Sequence, residues 1–298
     1  MEGLANLGAT CAINSLIQIL YRINDFKKLI LNSNTAEGTI TNELKDLFEV
    51  LNKHNSISPN RFINNFYEIF KGIFNKYEQQ DICELYLFLI QKIHDETCIP
   101  IPENKSISNL SEEHNYKIAF YNDFKYSNIY RLFQGSYIHI IKCLDCNHIA
   151  KTFEPFILIS LDIEPNSTLN DLLTNHFITE IRNKDDWKCN NCNNNCNYSK
   201  SKRIWKYPEI LFISLNRFKE VIRKNMDNVK INKSLELARN YELQAIGFHH
   251  GSLQGGHYNA MSRNYENYNL YDDTNVSNIP NIDLLLNNNN SYLLCYII

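Results

Sequence analysis

Apolar residues in the first hundred positions recur at helical spacing. Ile13, Leu16, Ile17, Leu20 and Ile23 form one stripe, and Leu44, Leu47, Phe48 and Leu51 form a second. A third, Phe62, Ile63, Phe66, Ile69 and Phe70, follows Ser58-Pro59, which reads as a cap and first turn. Leu85, Phe88, Leu89 and Ile93 continue the pattern after Asp81. Residues 101–128 mix Pro, Ser, Asn and charge with weakly patterned apolar positions, so they read as a loop or variable connection. From Ile129 onward the period shortens to that of strands. Tyr137–Ile141, Phe156–Leu161, Ile210–Leu215, Tyr258–Ser262, Tyr268–Tyr271 and Tyr292–Ile297 are β-branched or aromatic runs between polar turns. Helices first and strands later predict an α+β fold, not an alternating parallel one.

At 298 residues the chain can form two average domains or one large unit with a substantial core. A net charge of -3 gives no basis for wholesale contact with nucleic acid or an anionic membrane, and neither is expected as a partner. No apolar run approaches the ~20 residues of a membrane helix, and the residues ahead of Cys11 leave no room for a signal peptide. An intracellular, cytoplasmic or nuclear, protein is expected. Asparagine is abundant, at 44 of 298 residues, with a run at Asn287–Asn290, and is read as compositional bias.

Three residue types suited to thiol chemistry stand far apart. Cys11 follows the polar turn Gly8-Ala9-Thr10 and opens the first apolar stripe, which predicts a helix N-terminus, where free N–H groups and the helix dipole favour thiolate. Asn6, five residues earlier, is a candidate donor to an oxyanion. His257 follows Gly255-Gly256 at a strand start, placed to deprotonate Cys11 and reprotonate a leaving amine. Asp272, at the end of a second strand, is the candidate to orient that imidazole, and Asp273 is expected on the opposite face.

Nine cysteines are one too many for a fully paired disulfide framework. Cys143-Leu144-Asp145-Cys146 and Cys189-Asn190-Asn191-Cys192 are two C-x-x-C knuckles whose four thiolates suit one tetrahedral structural zinc. Cys196, His148 and His176 lie nearby and are left out of that site.

The blocks around Cys11, Gln79-Gln80-Asp81-Ile82-Cys83-Glu84-Leu85, Leu132-Phe133-Gln134-Gly135, Leu215-Asn216-Arg217-Phe218 and Gly255-Gly256-His257-Tyr258 with Asp272-Asp273 resemble the ubiquitin-specific protease family of deubiquitinases. They run in the family's order from residue 3 to residue 296. The resemblance implies a papain-like catalytic domain with a helical thumb (about 1–128), zinc-bearing β fingers (about 129–205) and an antiparallel β palm (about 206–298). It implies thiol-dependent hydrolysis after the C-terminal glycine of ubiquitin by Cys11, His257 and Asp272 with Asn6, and ubiquitin as partner of a monomer. Asp81 and Glu84 would bind the arginine-bearing ubiquitin tail, and Gly256 and Tyr258 would wall its Gly-Gly channel. The family has Asn and an aromatic residue where this chain has Ala9 and Ala12, which puts the order of the Cys loop in question. A catalytically weak or inactive ubiquitin-binding module and a protease for another ubiquitin-like modifier are the alternatives.

Overall fold

The computed structural model describes residues 2–54, 56–103, 107–218, 223–252 and 255–298. The four apolar stripes of the N-terminal part lie on the helices Cys11–Tyr21, Ile40–Leu51, Asn60–Ile69 and Ile82–Thr97. The first of these is buried along its whole length, because it runs through the middle of the molecule with the other helices on one side and a sheet on the other. Pro59 stands at the N-cap of the third helix, one position earlier than a first-turn proline.

Four of the described helices have no counterpart in the stripes: Asn24–Leu31, Leu110–Tyr121, Asn128–Phe133 and Leu169–His176. Leu110–Tyr121 occupies part of the expected loop, opened by Asn109, whose side chain accepts from Glu112 N–H. Of its residues only His114 is buried, so no apolar stripe marks it in the sequence. Residues 104–106 of that expected loop fall outside the described residues. Asn128–Phe133 is a short helix capped by Ser127, and the strand expected from Ile129 begins at Gly135.

An eight-stranded sheet forms behind the helices. Its order is Asn275–Ile279, Asn267–Asp272, Gly255–Asn264, Asn240–Ser252, Ser291–Ile297, Ile210–Asn216 and Ile159–Asp162, with Ser234–Glu236 also paired to Asn240–Ser252. All neighbours are antiparallel except the last pair, which is parallel. The strand Ile159–Asp162 therefore joins this sheet, although the sequence boundary groups it with the preceding fingers.

Both faces of the central strands are covered. Phe212, Ala245, Ala260, Leu293 and Cys295 pack toward the helices, while Leu211, Ile213, Ile246, Met261, Leu294 and Tyr296 pack into a second core on the other side. That is why Tyr292–Ile297 reads as a continuous apolar run rather than an alternating one. A separate four-stranded sheet, ordered Ile149–Phe156, Gly135–Cys143, Tyr198–Lys206 and Glu180–Arg182, carries both C-x-x-C knuckles at one end.

Candidate active site and zinc centre

The helix Cys11–Tyr21 packs on the strand Gly255–Asn264, which brings the first residue of one against the first turn of the other. Cys11 is buried, and the Tyr258 backbone N–H points at its sulfur. His257, the residue before Tyr258, places Nε2 2.5 Å from Asp272 Oδ1. The packing of the first long helix on the sheet brings the residues around Cys11 to the strand that carries His257.

The electrostatics differ from the expectation for a helix N-terminus. Burial raises the Cys11 thiol above the ordinary value, and Asp273 adds to this; the N–H groups of Tyr258, Ala12 and Cys11 pull only partly the other way.

Asn6 is fixed on both ends of its amide. Its Oδ1 accepts from Gly8 N–H at 3.1 Å and from Thr10 N–H at 3.2 Å, folding the loop ahead of the nucleophile. Its Nδ2 donates to Asp273 Oδ2 at 3.0 Å, which leaves one N–H over. Asp273 also accepts from Asn14 Nδ2 at 2.8 Å, and its backbone carbonyl accepts from Leu4 N–H at 2.9 Å. The strand stops at Asp272 and Asp273 turns with φ +52°, so alternation no longer applies: a carboxylate oxygen of each acid and a His257 ring nitrogen lie within 4.8 Å of one another, and Asp273 is not on the opposite face as expected. Asp273 and Asn14 were not singled out for these roles, since nothing local in the sequence links them to Asn6.

Gln79 is a further residue that sequence reading does not separate from its neighbours. Its side-chain amide donates to Gly256 O at 2.5 Å and accepts from Gly256 N–H at 2.8 Å. Two residues earlier Tyr77 lies over Gly8 at φ +72°. Gly256 itself has no room for a Cβ, which would run into the His249 ring and the His250 carbonyl.

Asp81 and Glu84 do not form a pair of free acids on one helix face. Asp81 is the N-cap of Ile82–Thr97: one carboxylate oxygen accepts from Cys83 N–H at 2.8 Å and Glu84 N–H at 3.0 Å, and the other takes the Tyr292 hydroxyl. Glu84 is exposed. The Tyr258 ring is buried between His249 and Tyr292, so that its backbone, not its ring, faces Cys11.

At the end of the four-stranded sheet the sulfurs of Cys143, Cys146, Cys189 and Cys192 all lie within 4.8 Å of one another. A tetrahedral zinc with four thiolates requires S···S edges of about 3.8 Å. The donor set fits, and these four cysteines form a structural zinc site. Each knuckle closes through the same turn: Asn147 N–H donates to Cys143 O, and Asn193 N–H to Cys189 O, with Asn147 at φ +60° and Asn193 at φ +58°. Asparagine tolerates that left-handed conformation better than other residues with a side chain. The N–H of His148 and the Asn191 amide draw the Cys146 thiol down to about 6, which favours the metal-binding form.

A family model described as ubiquitin carboxyl-terminal hydrolase matches residues 2–296. The chain belongs to the ubiquitin carboxyl-terminal hydrolase family. Ubiquitin carboxyl-terminal hydrolase 4 of Saccharomyces cerevisiae is 24% identical over 99% of this chain but only 39% of its own length. The chain therefore spans about two-fifths of that relative. Ubiquitin carboxyl-terminal hydrolase 4 of Arabidopsis thaliana is 28% identical over 92% of this chain and 84% of its own. Among solved structures, the SAGA DUB module of Ubp8, Sgf11, Sus1 and Sgf73 bound to monoubiquitin matches with a TM-score of 0.79 and 23% identity, covering 100% of this chain and 69% of the matched one. The same module bound to ubiquitin aldehyde matches with a TM-score of 0.79 and 22% identity, with coverage of 100% and 69%. The fold of helical thumb, zinc-bearing fingers and β palm is that of this hydrolase family.

Proposed function

We propose that the chain is a cysteine-type deubiquitinase that cleaves the bond after the C-terminal glycine of ubiquitin. The observation that carries this reading is that the strand bearing His257, which pairs with Asp272 at 2.5 Å, packs on the helix that Cys11 opens, with the Tyr258 N–H at the Cys11 sulfur and the Asn6 amide tethered to Asp273. Family membership and relatives named ubiquitin carboxyl-terminal hydrolase support the substrate class.

In this reading His257 Nδ1 takes the Cys11 proton as the sulfur attacks the glycine carbonyl. The oxyanion is met by the remaining Asn6 N–H and the Cys11 backbone N–H. His257 returns the proton to the departing amine, and a water activated by the same imidazole opens the thioester. Asp272 keeps Nε2 occupied, so that Nδ1 is the nitrogen that exchanges protons. Gly256 gives the Gly-Gly tail its narrow passage, and exposed Glu84 is the carboxylate open to a tail arginine. Asp81 acts through the helix it caps.

Ubiquitin is the proposed partner. The matched structural neighbours are modules with Sgf11, Sus1 and Sgf73, and so lend the expected monomer no support. Within the described residues no helix is long and apolar enough to cross a membrane. A reducing intracellular setting is proposed because the catalytic thiol and four zinc thiolates must stay reduced.

Incubation with ubiquitin bearing an electrophilic C-terminus tests the reading, alongside Cys11→Ala and matching probes built on other modifiers. A ubiquitin adduct that depends on Cys11 is expected. Binding without an adduct would overturn catalysis, and an adduct formed only with another modifier would overturn the substrate.

A further inference from the structure

Four thiols complete the zinc site, and a fifth is packed against it. Cys196 is 1% exposed, yet its sulfur lies 3.3 Å from Cys143 Sγ and 3.7 Å from Cys192 Sγ. The second knuckle folds back to put it there: Cys189 N–H donates to Asn194 O, and Lys188 bridges Asn195. The five sulfurs differ in access. Cys192 and Cys146 are half-buried, whereas Cys143, Cys189 and Cys196 are buried. An oxidant from solvent therefore meets Cys192 before it meets Cys196, which waits 3.7 Å behind.

We propose that Cys196 is the resolving thiol of a peroxide-sensitive zinc site, and that it forms a disulfide with Cys192. The Cys192 thiolate attacks one oxygen of a peroxide, forming an S–O bond as the O–O bond breaks; with hydrogen peroxide the other oxygen leaves as hydroxide, which takes a proton from solvent to become water. The Cys196 sulfur then attacks the Cys192 sulfur, forming the S–S bond and expelling hydroxide, which leaves as water with the Cys196 proton. Two thiols and one hydrogen peroxide give one disulfide and two waters, with two electrons passing from sulfur to oxygen. Closing the sulfurs from 3.7 Å to the bonded ~2 Å needs side-chain rotation within one turn. With Cys192 consumed the knuckles keep three thiolates, and the zinc is released. Cys196 also spares Cys192 from the irreversible sulfinic state, since a disulfide returns to thiols with a dithiol reductant. None of this depends on the hydrolase reading.

The test treats the zinc-loaded full chain with hydrogen peroxide, follows zinc with a chromogenic chelator and maps the oxidised cysteines by mass spectrometry. Zinc release accompanied by a Cys192–Cys196 linkage, both reversed by dithiol and added zinc, is the expected result. Cys196→Ser and Cys196→Ala are expected to hold zinc as the parent does, to release it roughly tenfold more slowly and to accumulate sulfinic acid at Cys192. Release at the parent rate from these variants overturns the proposal. So does a disulfide that leaves Cys196 out, such as one joining Cys146 to Cys189. If either variant fails to bind zinc, the linkage map of the parent chain decides alone.

Discussion

Asp273 holds Asn6 by a 3.0 Å hydrogen bond from Nδ2 to Oδ2, so the residue after the His257 partner grips the proposed oxyanion donor from the far end of the chain. The same carboxylate takes Asn14 at 2.8 Å. Asp273→Ala frees the Asn6 amide to turn away. Turnover is expected to drop by about 100-fold with KM changed little, as for loss of one oxyanion donor. Asn6→Ala should cost about as much, and the double variant little more than either alone. Additive losses in steady-state kinetics would separate the two residues.

The thiol should report the same carboxylate. Burial first and Asp273 second raise the Cys11 pKa, so its thiolate is scarce at neutral pH and gains ground only as pH passes the ordinary thiol range. Alkylation of Cys11 in the free protein is expected to rise with pH through a midpoint above the usual value. Asp273→Asn removes the negative neighbour and should move that midpoint down, even as turnover falls. The linkage sign follows: a folded pKa above the unfolded one contributes stability that is present below the unfolded value and lost as pH rises through the folded one.

Ala9 sits at φ +55°, a conformation that costs a residue with a Cβ about 1–2 kcal/mol. The family's Asn at this position suits it better. Ala9→Asn is expected to stabilise the fold by about 0.5–1 kcal/mol, read from the urea midpoint at unchanged slope. A lower midpoint would mean that the loop before Cys11 is relaxed as it stands.

Gln79 and Gly256 exchange a donor and an acceptor each, which makes the Gly256 amide a local probe of the cleft. In Gln79→Ala its hydrogen exchange should quicken by about 5–10-fold, the equivalent of one ordinary hydrogen bond. Gln79→Glu retains the acceptor for Gly256 N–H but turns a second acceptor on the carbonyl. The amide should stay protected there while the cleft edge loosens.

How much of this could be read from the chain alone depends on the range of the interaction. Cys11 at a helix start and the His257–Asp272 pair on adjacent strands are legible because each sits at the edge of a strong local pattern. The zinc knuckles were legible because their spacing is the site. Asp273, Asn14 and Gln79 were not, since their partners lie across the sheet or cleft. Asp81 shows a role that the spacing alone does not bring out: its two oxygens meet the helix cap and the Tyr292 hydroxyl. The helix Leu110–Tyr121 escaped notice because it buries only His114, leaving propensity and one cap as its signals. Within the asparagine-rich composition a few positions have a structural role. Asn147 and Asn193 shape the knuckles, and Asn288 Oδ1 accepts from both Asn290 N–H and Ser291 N–H at 2.7 Å to lead into the last strand.

The loop of residues 75–80 touches the nucleophile loop through Tyr77 and the histidine strand through Gln79, and it is braced within itself by Gln80 Nε2 donating to Asn75 O and Glu78 O. It is thus a spacer whose length sets how wide the groove stands. Prying the two walls apart must unhook this segment as well as the Asp273 contacts to Leu4, Asn6 and Asn14. Cys11 and His257 then drift together or not at all, and a single change at residue 79 would be felt on both walls.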